Sequence, residues 1–139
     1  MLRQPGLWER AGVYRDLNDD PFPQKGQLVV THEPGLWTIE GQLTVITEQT
    51  QTIASRYDVQ PLAEGASFTE WKSEVGGPEP VFGLFVVVDD AIMSPWQSRS
   101  GTYWGQEVLR QVSSTAYLGR GFAVLINEKK CSLLVRLTF

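Results

Sequence analysis

The stretch QLVVTHEPGLWTIEGQLTVITEQTQTIASRYDV, residues 27–59, consists of short β-prone runs separated by turn residues. Glu33-Pro34-Gly35 predicts a tight turn between two strands, and Gly41-Gln42 predicts a second break. Val, Ile and Thr dominate the runs, and no helical period is present. Strands that follow one another at this spacing are typical of an antiparallel meander, as in an up-and-down barrel or a sandwich.

The same pattern continues towards the end of the chain. We predict strands at residues 67–75, 81–88, 101–112, 114–126 and 131–139. Residues 89–99, with Pro95 among them, are predicted to be irregular because proline cannot donate to a strand ladder. The expected fold is all-β: one domain, residues 1–139, forming a single antiparallel up-and-down barrel of roughly eight to ten strands.

Composition narrows the classes of function. Apolar residues make up 42% of the chain, charged residues 20%, and the formal net charge is −4. Basic residues are scattered, so nucleic acid is not an expected partner. No run approaches the ~18 apolar residues of a membrane span. The single cysteine, Cys131, and the lack of an apolar signal-peptide core near Met1 favour a cytoplasmic location.

Few residues suggest catalysis or metal binding. His32 is the only imidazole, and one His with one distant Cys cannot supply the three or four ligands of a zinc site. The pair Asp89-Asp90 follows an apolar run and is more typical of a strand end in solvent than of an acid–base pair. We therefore predict no catalytic residue, no metal and no cofactor.

Aromatic and basic side chains in the predicted strands are the best indication of binding. The five tryptophans would fill a wide interior or line a cavity. An arginine that points into a barrel needs a carboxylate partner, such as Glu70 or Glu107, or an acidic ligand. The candidate ligand-binding residues are Arg56, Trp71, Phe85, Trp104, Arg110, Tyr117 and Phe122. The alternative, that the arginines lie on the outer face, stays open because a one-residue shift of register reverses every side chain.

The triplet Gly6-Leu7-Trp8 resembles the G-x-W signature of the calycins, the superfamily of lipocalins and fatty-acid-binding proteins. The resemblance implies a barrel in which Trp8 packs across the closed end, under an arginine from the final strand. Arg136 occupies the matching position. Bilin lyases are also calycin-like barrels, so the resemblance does not exclude an enzyme.

Three functions follow as expectations. The first is a non-catalytic carrier of a small hydrophobic or amphipathic molecule, with Arg56 or Arg110 holding an acidic head group. The second is an isomerase, cyclase or lyase, which requires an inward glutamate without an arginine partner. The third is a protein-interaction module or a homodimer, for which an exposed aromatic patch is the sign, with Trp96 as the first candidate.

Overall fold

Ten strands make up the regular structure of the residues that the structure describes. The computed structural model describes the backbone of residues 1–127 and 130–138 and the side chains of residues 1–126. The strands are β1 (Gly6–Arg15), β2 (Pro21–Glu33), β3 (Leu36–Val45), β4 (Gln51–Val59), β5 (Phe68–Val75), β6 (Val81–Val88), β7 (Ala91–Ser98), β8 (Tyr103–Ser113), β9 (Ala116–Asn127) and β10 (Lys130–Thr138). Every regular element of the described residues is a strand, and all strand pairs are antiparallel. The all-β, antiparallel prediction is confirmed.

The sheet curls until its two edges meet. Each strand pairs with its neighbours along the chain, and β1 pairs with both β2 and β10, so the strand order closes into a barrel. The β1–β2 pairing covers the whole of β1, whereas the β1–β10 pairing, within residues 1–127 and 130–138, consists of Val13↔Thr138, Tyr14↔Leu137 and Arg15↔Arg136. The closure is therefore short and lies towards the end of β1.

Two predicted breaks lie within strands, and those predictions are wrong. β3 runs through Gly41-Gln42 because Gly41 serves close packing: a Cβ there would collide with a methyl group of Leu28. The predicted irregular segment contains β7, which tolerates Pro95 within the sheet. Only the turn Asp89-Asp90 separates β6 from β7, and Asp89 adopts a positive φ of 52°.

A row in which tryptophan alternates with glycine crosses the inner face of the sheet from β5 to β8, and an alanine on β9 ends the row. The register pairs Trp71 with Gly83, Gly83 with Trp96, Trp96 with Gly105, and Gly105 with Ala123. A Cβ on Gly83 would lie 2.8 Å from the Trp71 ring, and one on Gly105 would lie 2.6 Å from the Trp96 ring. Each indole thus occupies the space over a glycine. Trp96 is half-buried inside the barrel, which corrects its expected place in an exposed loop.

Residues 1–5 close one end of the barrel, which we call the plug end; it also carries the turns at 34–35, 89–90 and 114–115. Leu2 is 3% exposed. Its carbonyl accepts a hydrogen bond of 2.7 Å from Nε2 of His32, whose ring stacks on Trp37 at 3.7 Å. Leu2 belongs to the core cluster, whose buried members are Leu2, Val30, Ile39, Val59, Trp71, Phe85 and Ile92. The hydrogen bond from Nε2 of His32 therefore helps to hold residues 1–5 against the end of the barrel.

Side chains join β1 to β9 at the plug end, where β1 is not paired with β10. The rings of Trp8 and Tyr117 meet edge to face, 5.8 Å apart. The Tyr117 hydroxyl also accepts a 2.6 Å hydrogen bond from the amino group of Met1. Burial lowers the pKa of that amine to about 6 and raises the pKa of Tyr117. The backbone pairs Arg136 with Arg15, and the Arg136 side chain, predicted to reach Trp8, lies outside the described residues.

Candidate functional site

The interior contains a cavity of about 980 Å³. Its rim includes Asp16–Asn18 and Gly76–Glu79, which belong to loops at the end of the barrel opposite the plug. Its volume is within the range of small-molecule sites. The apolar part of the wall includes Trp8, Leu28, Ile39, Leu43, Ile53, Val81, Phe85, Ile92, Trp96, Leu109 and Ala123. The cavity is therefore deep, largely apolar and bounded at its far end by the plug.

Three of the seven predicted binding residues point inward. Phe85 and Tyr117 line the cavity. Trp71 lies behind the wall, 5% exposed, with its ring against Tyr57 and Phe85 at 4.9 and 5.8 Å. Its role is to fill the core rather than to line the cavity.

The two predicted arginines lie on the outer face, so the expectation that they hold a head group is wrong. Arg56 forms ion pairs with Glu40 at 2.8 Å and with Asp58 at 3.1 Å. Arg110 pairs with Asp90 at 3.0 Å. The reason is strand alternation: the residues beside Arg56 and Arg110 point inward, which turns the arginines towards solvent.

Trp104 and Phe122 also lie outside, which corrects their predicted place in the wall. Their rings meet edge to face at 5.6 Å, and Trp104 remains 37% exposed. They are part of an apolar surface that we call the outer patch. Its members on β5 to β9 are Phe68, Phe82, Leu84, Val86, Met93, Pro95, Trp104, Val108 and Phe122.

Among residues 1–126, Arg10 and Glu107 form a charged pair inside the barrel. Arg10 extends from β1 and Glu107 from β8, and both line the cavity. Nη2 of Arg10 lies 3.9 Å from Oε1 of Glu107, and the two side chains are 15% and 33% exposed. Gly121 makes room for the carboxylate, because a Cβ there would lie 2.8 Å from Cγ of Glu107.

Burial controls the ionisation of this region. It raises the pKa of Glu107, and the nearby charge of Arg10 opposes that rise. Burial together with the charge of Glu107 raises the pKa of Tyr57 to about 12, with Arg10 acting in the opposite direction. The guanidinium, carboxyl and phenol groups thus act on one another across the interior. Together they provide hydrogen-bond donors and acceptors within an apolar cavity.

Arg10 was missed in the sequence, although a signal was there. The G-x-W resemblance places Trp8 inside, and strand alternation then places Arg10 inside as well. Glu107 was expected as a partner for an inward arginine or as an acid. The structure supplies that arginine from the far end of the chain.

No family model, no curated protein and no solved structure matches this chain. Within residues 1–127 and 130–138, no helix is long and apolar enough to cross a membrane. In the same part of the chain, no three His, Cys, Asp or Glu side chains gather as metal ligands would. The geometry of the cavity therefore carries the argument about function.

Proposed function

We propose that the chain binds a small amphipathic molecule inside the barrel, as a non-catalytic carrier. The observation that supports this best is the cavity of about 980 Å³, whose largely apolar wall holds the ion pair of Arg10 with Glu107. Burial of the ligand's apolar part supplies affinity, at about 25 cal/mol per Å² of apolar surface removed from water. The polar part lies beside Arg10 and Glu107, which take the place expected for Arg56 and Arg110.

The calycin resemblance supports the carrier function as a proposal. Chain-order antiparallel pairing and the position of Trp8 at the plug end suit such a barrel. The backbone pairing of Arg136 with Arg15 does not favour the Arg–Trp contact that the resemblance implies. A cytoplasmic location stays a prediction.

The enzyme alternative is less well supported. It requires an inward carboxyl with a raised pKa and no arginine partner. Glu70 lies on the outer side of β5, and Glu107 lies 3.9 Å from Arg10. The guanidinium charge at this distance favours the carboxylate form and so opposes the rise in the pKa of Glu107 that a general acid requires.

Native mass spectrometry of the purified protein, compared with the denatured protein, tests the carrier function. We expect a co-purifying small molecule, and we expect added alkyl compounds to change tryptophan fluorescence, because Trp8 and Trp96 line the cavity. Ala123→Leu narrows the cavity and should weaken binding. Ala54→Leu makes the same change on the exposed outer face of β4 and serves as the control. Absence of any bound species, with no fluorescence response, would refute the carrier function.

A second copy of the chain is a further candidate partner, at the outer patch. Phe68, Phe82 and Trp104 are 58%, 46% and 37% exposed, and few charges interrupt the patch. Glu70 and Lys72 border it on β5, and Arg120 borders it on β9. A two-fold arrangement would bring each Glu70 towards the other copy's Arg120. In sedimentation equilibrium, a weight-average molar mass that rises with protein concentration towards that of a dimer would support this arrangement. A molar mass that stays at the monomer value would refute it.

A further inference from the structure

The charged side chains in the middle of the cavity are of opposite sign, whereas the acidic Asp16 and Glu79 lie in the loops at the rim and Glu9 faces outward on β1. Among residues 1–126, strand alternation points two charged side chains into the cavity, Arg10 and Glu107. They stand at the middle of β1 and of β8, away from the water at either end of the barrel. A ligand that reaches Arg10 therefore also meets Glu107.

This juxtaposition determines which polar groups are compatible with the site. The two side chains approach to 3.9 Å, so a group that hydrogen-bonds to one lies within a few ångströms of the other. An anion attracted by the guanidinium is repelled by the carboxylate, and a cation meets the opposite pair of forces. Neither charged ligand gains its full attraction, yet each loses its hydration on entering an apolar cavity.

A neutral group with both an acceptor and a donor avoids this conflict. Its carbonyl oxygen accepts from the guanidinium of Arg10, and its N–H or O–H donates to the carboxylate of Glu107. Both hydrogen bonds are charge-assisted, and no new charge is buried. The phenol of Tyr57, on β4, offers a further polar group in the wall of the cavity.

We propose that the carried molecule is an uncharged amphiphile, with a carboxamide or a similar donor–acceptor head bridging Arg10 and Glu107, and that the barrel discriminates against fatty-acid anions of the same length. This inference rests on the proposed carrier function. It replaces the acidic head group expected from the sequence with a neutral one. Half-buried Glu107 acts here as the residue that sets specificity.

The test compares octanamide, octanoate and octylammonium at about pH 8, where the acid and the amine are both charged. Tryptophan fluorescence measures binding to the full chain. We expect octanamide to bind at least about tenfold more tightly than either charged probe, since one unfavourable buried charge contact is worth a factor of this order.

Glu107→Gln removes the negative charge and keeps the shape of the side chain. We expect this variant to gain affinity for octanoate by about tenfold or more and to lose the preference for octanamide. Glu40→Gln makes the same change on the outer face, where Glu40 pairs with Arg56, and should leave all three affinities unchanged.

The outcomes separate the two proposals. If none of the probes binds to the folded wild-type chain, the carrier function is wrong. If octanoate binds as tightly as octanamide or more tightly, the carrier function stands and the neutral head group is wrong. The wild-type affinity ratio decides this even where Glu107→Gln does not fold.

Discussion

Trp71 replaces a hydrogen bond that Pro95 cannot make, and this can be measured. The N–H of Arg99 donates to the carbonyl of Pro80 at 2.9 Å. Because hydrogen-bonded pairs alternate along antiparallel strands, the even-numbered residues of β6 are the ones whose backbone N–H and C=O groups face β7. The register sets Leu84 opposite Pro95, and the regular pairing lapses there. Nε1 of Trp71 instead donates to the Leu84 carbonyl at 3.2 Å, and it shares this donation with Oγ of Ser94 at 3.1 Å. A side chain thus satisfies a carbonyl whose ladder partner has no N–H.

A double-mutant cycle on Trp71 and Pro95 isolates this bond. Trp71→Phe leaves the Leu84 carbonyl without its indole donor and shrinks a core side chain, at a cost of about 3 kcal/mol. Pro95→Ala restores the backbone N–H that donates in the ladder, which stabilises the fold by about 1 kcal/mol. Removing proline also makes the unfolded chain more flexible, at a similar cost, so Pro95→Ala alone should leave the free energy of unfolding nearly unchanged. When Pro95→Ala is already present, the cost of Trp71→Phe should fall to about 2 kcal/mol.

Equilibrium urea unfolding of the four proteins gives the coupling free energy, which we expect to be about 1 kcal/mol. Trp37→Phe is the control, because Trp37 stacks on His32 in β2 and takes no part in the β6–β7 pairing. Its cost should be equal in the wild-type chain and in the Pro95→Ala variant. Equal costs of Trp71→Phe in these two backgrounds, to within about 0.3 kcal/mol, would refute the argument.

Three further changes test the plug, the cavity charge and the outer patch. Leu2→Ala should lower the free energy of unfolding by about 2–4 kcal/mol because Leu2 is 3% exposed in the core, whereas Leu7→Ala, at a site 60% exposed, should change it by under about 0.5 kcal/mol. Burial raises the pKa of Glu107 in the fold, so its protonated form contributes stability that is complete below the ordinary value of 4.5 and lost as pH rises through the raised value. As pH rises through this window, the melting temperature of the wild-type chain should therefore fall relative to that of the Glu107→Gln variant. A difference between the two melting temperatures that does not change with pH would count against a raised pKa of Glu107. Trp104→Ser combined with Phe122→Ser should abolish concentration-dependent sedimentation, and an unchanged dimer would exclude the outer patch as its interface.

Local signals in the sequence predicted much of the fold. The Glu33-Pro34-Gly35 turn and the strand at Val81–Val88 are where the sequence placed them. Turn chemistry and β propensity act between near neighbours, so they can be recognised in a single sequence. The failures at Gly41 and Pro95 have a different origin. Gly41 lies against Leu28, and the Leu84 carbonyl facing Pro95 accepts from Trp71; both contacts exist only after distant segments have packed.

The inner surface was decided by the tertiary structure. Alternation in the sequence divides each strand into two faces, but it does not say which face is buried, because a shift of one residue exchanges them. The late strands carry apolar side chains on both faces, so Arg110 and Glu107 were equal candidates for the interior. Closure of the sheet selected Glu107 and brought Arg10 to within 3.9 Å of it. The strands follow from local sequence, whereas the charge pair in the cavity follows from the register and curvature of the whole barrel.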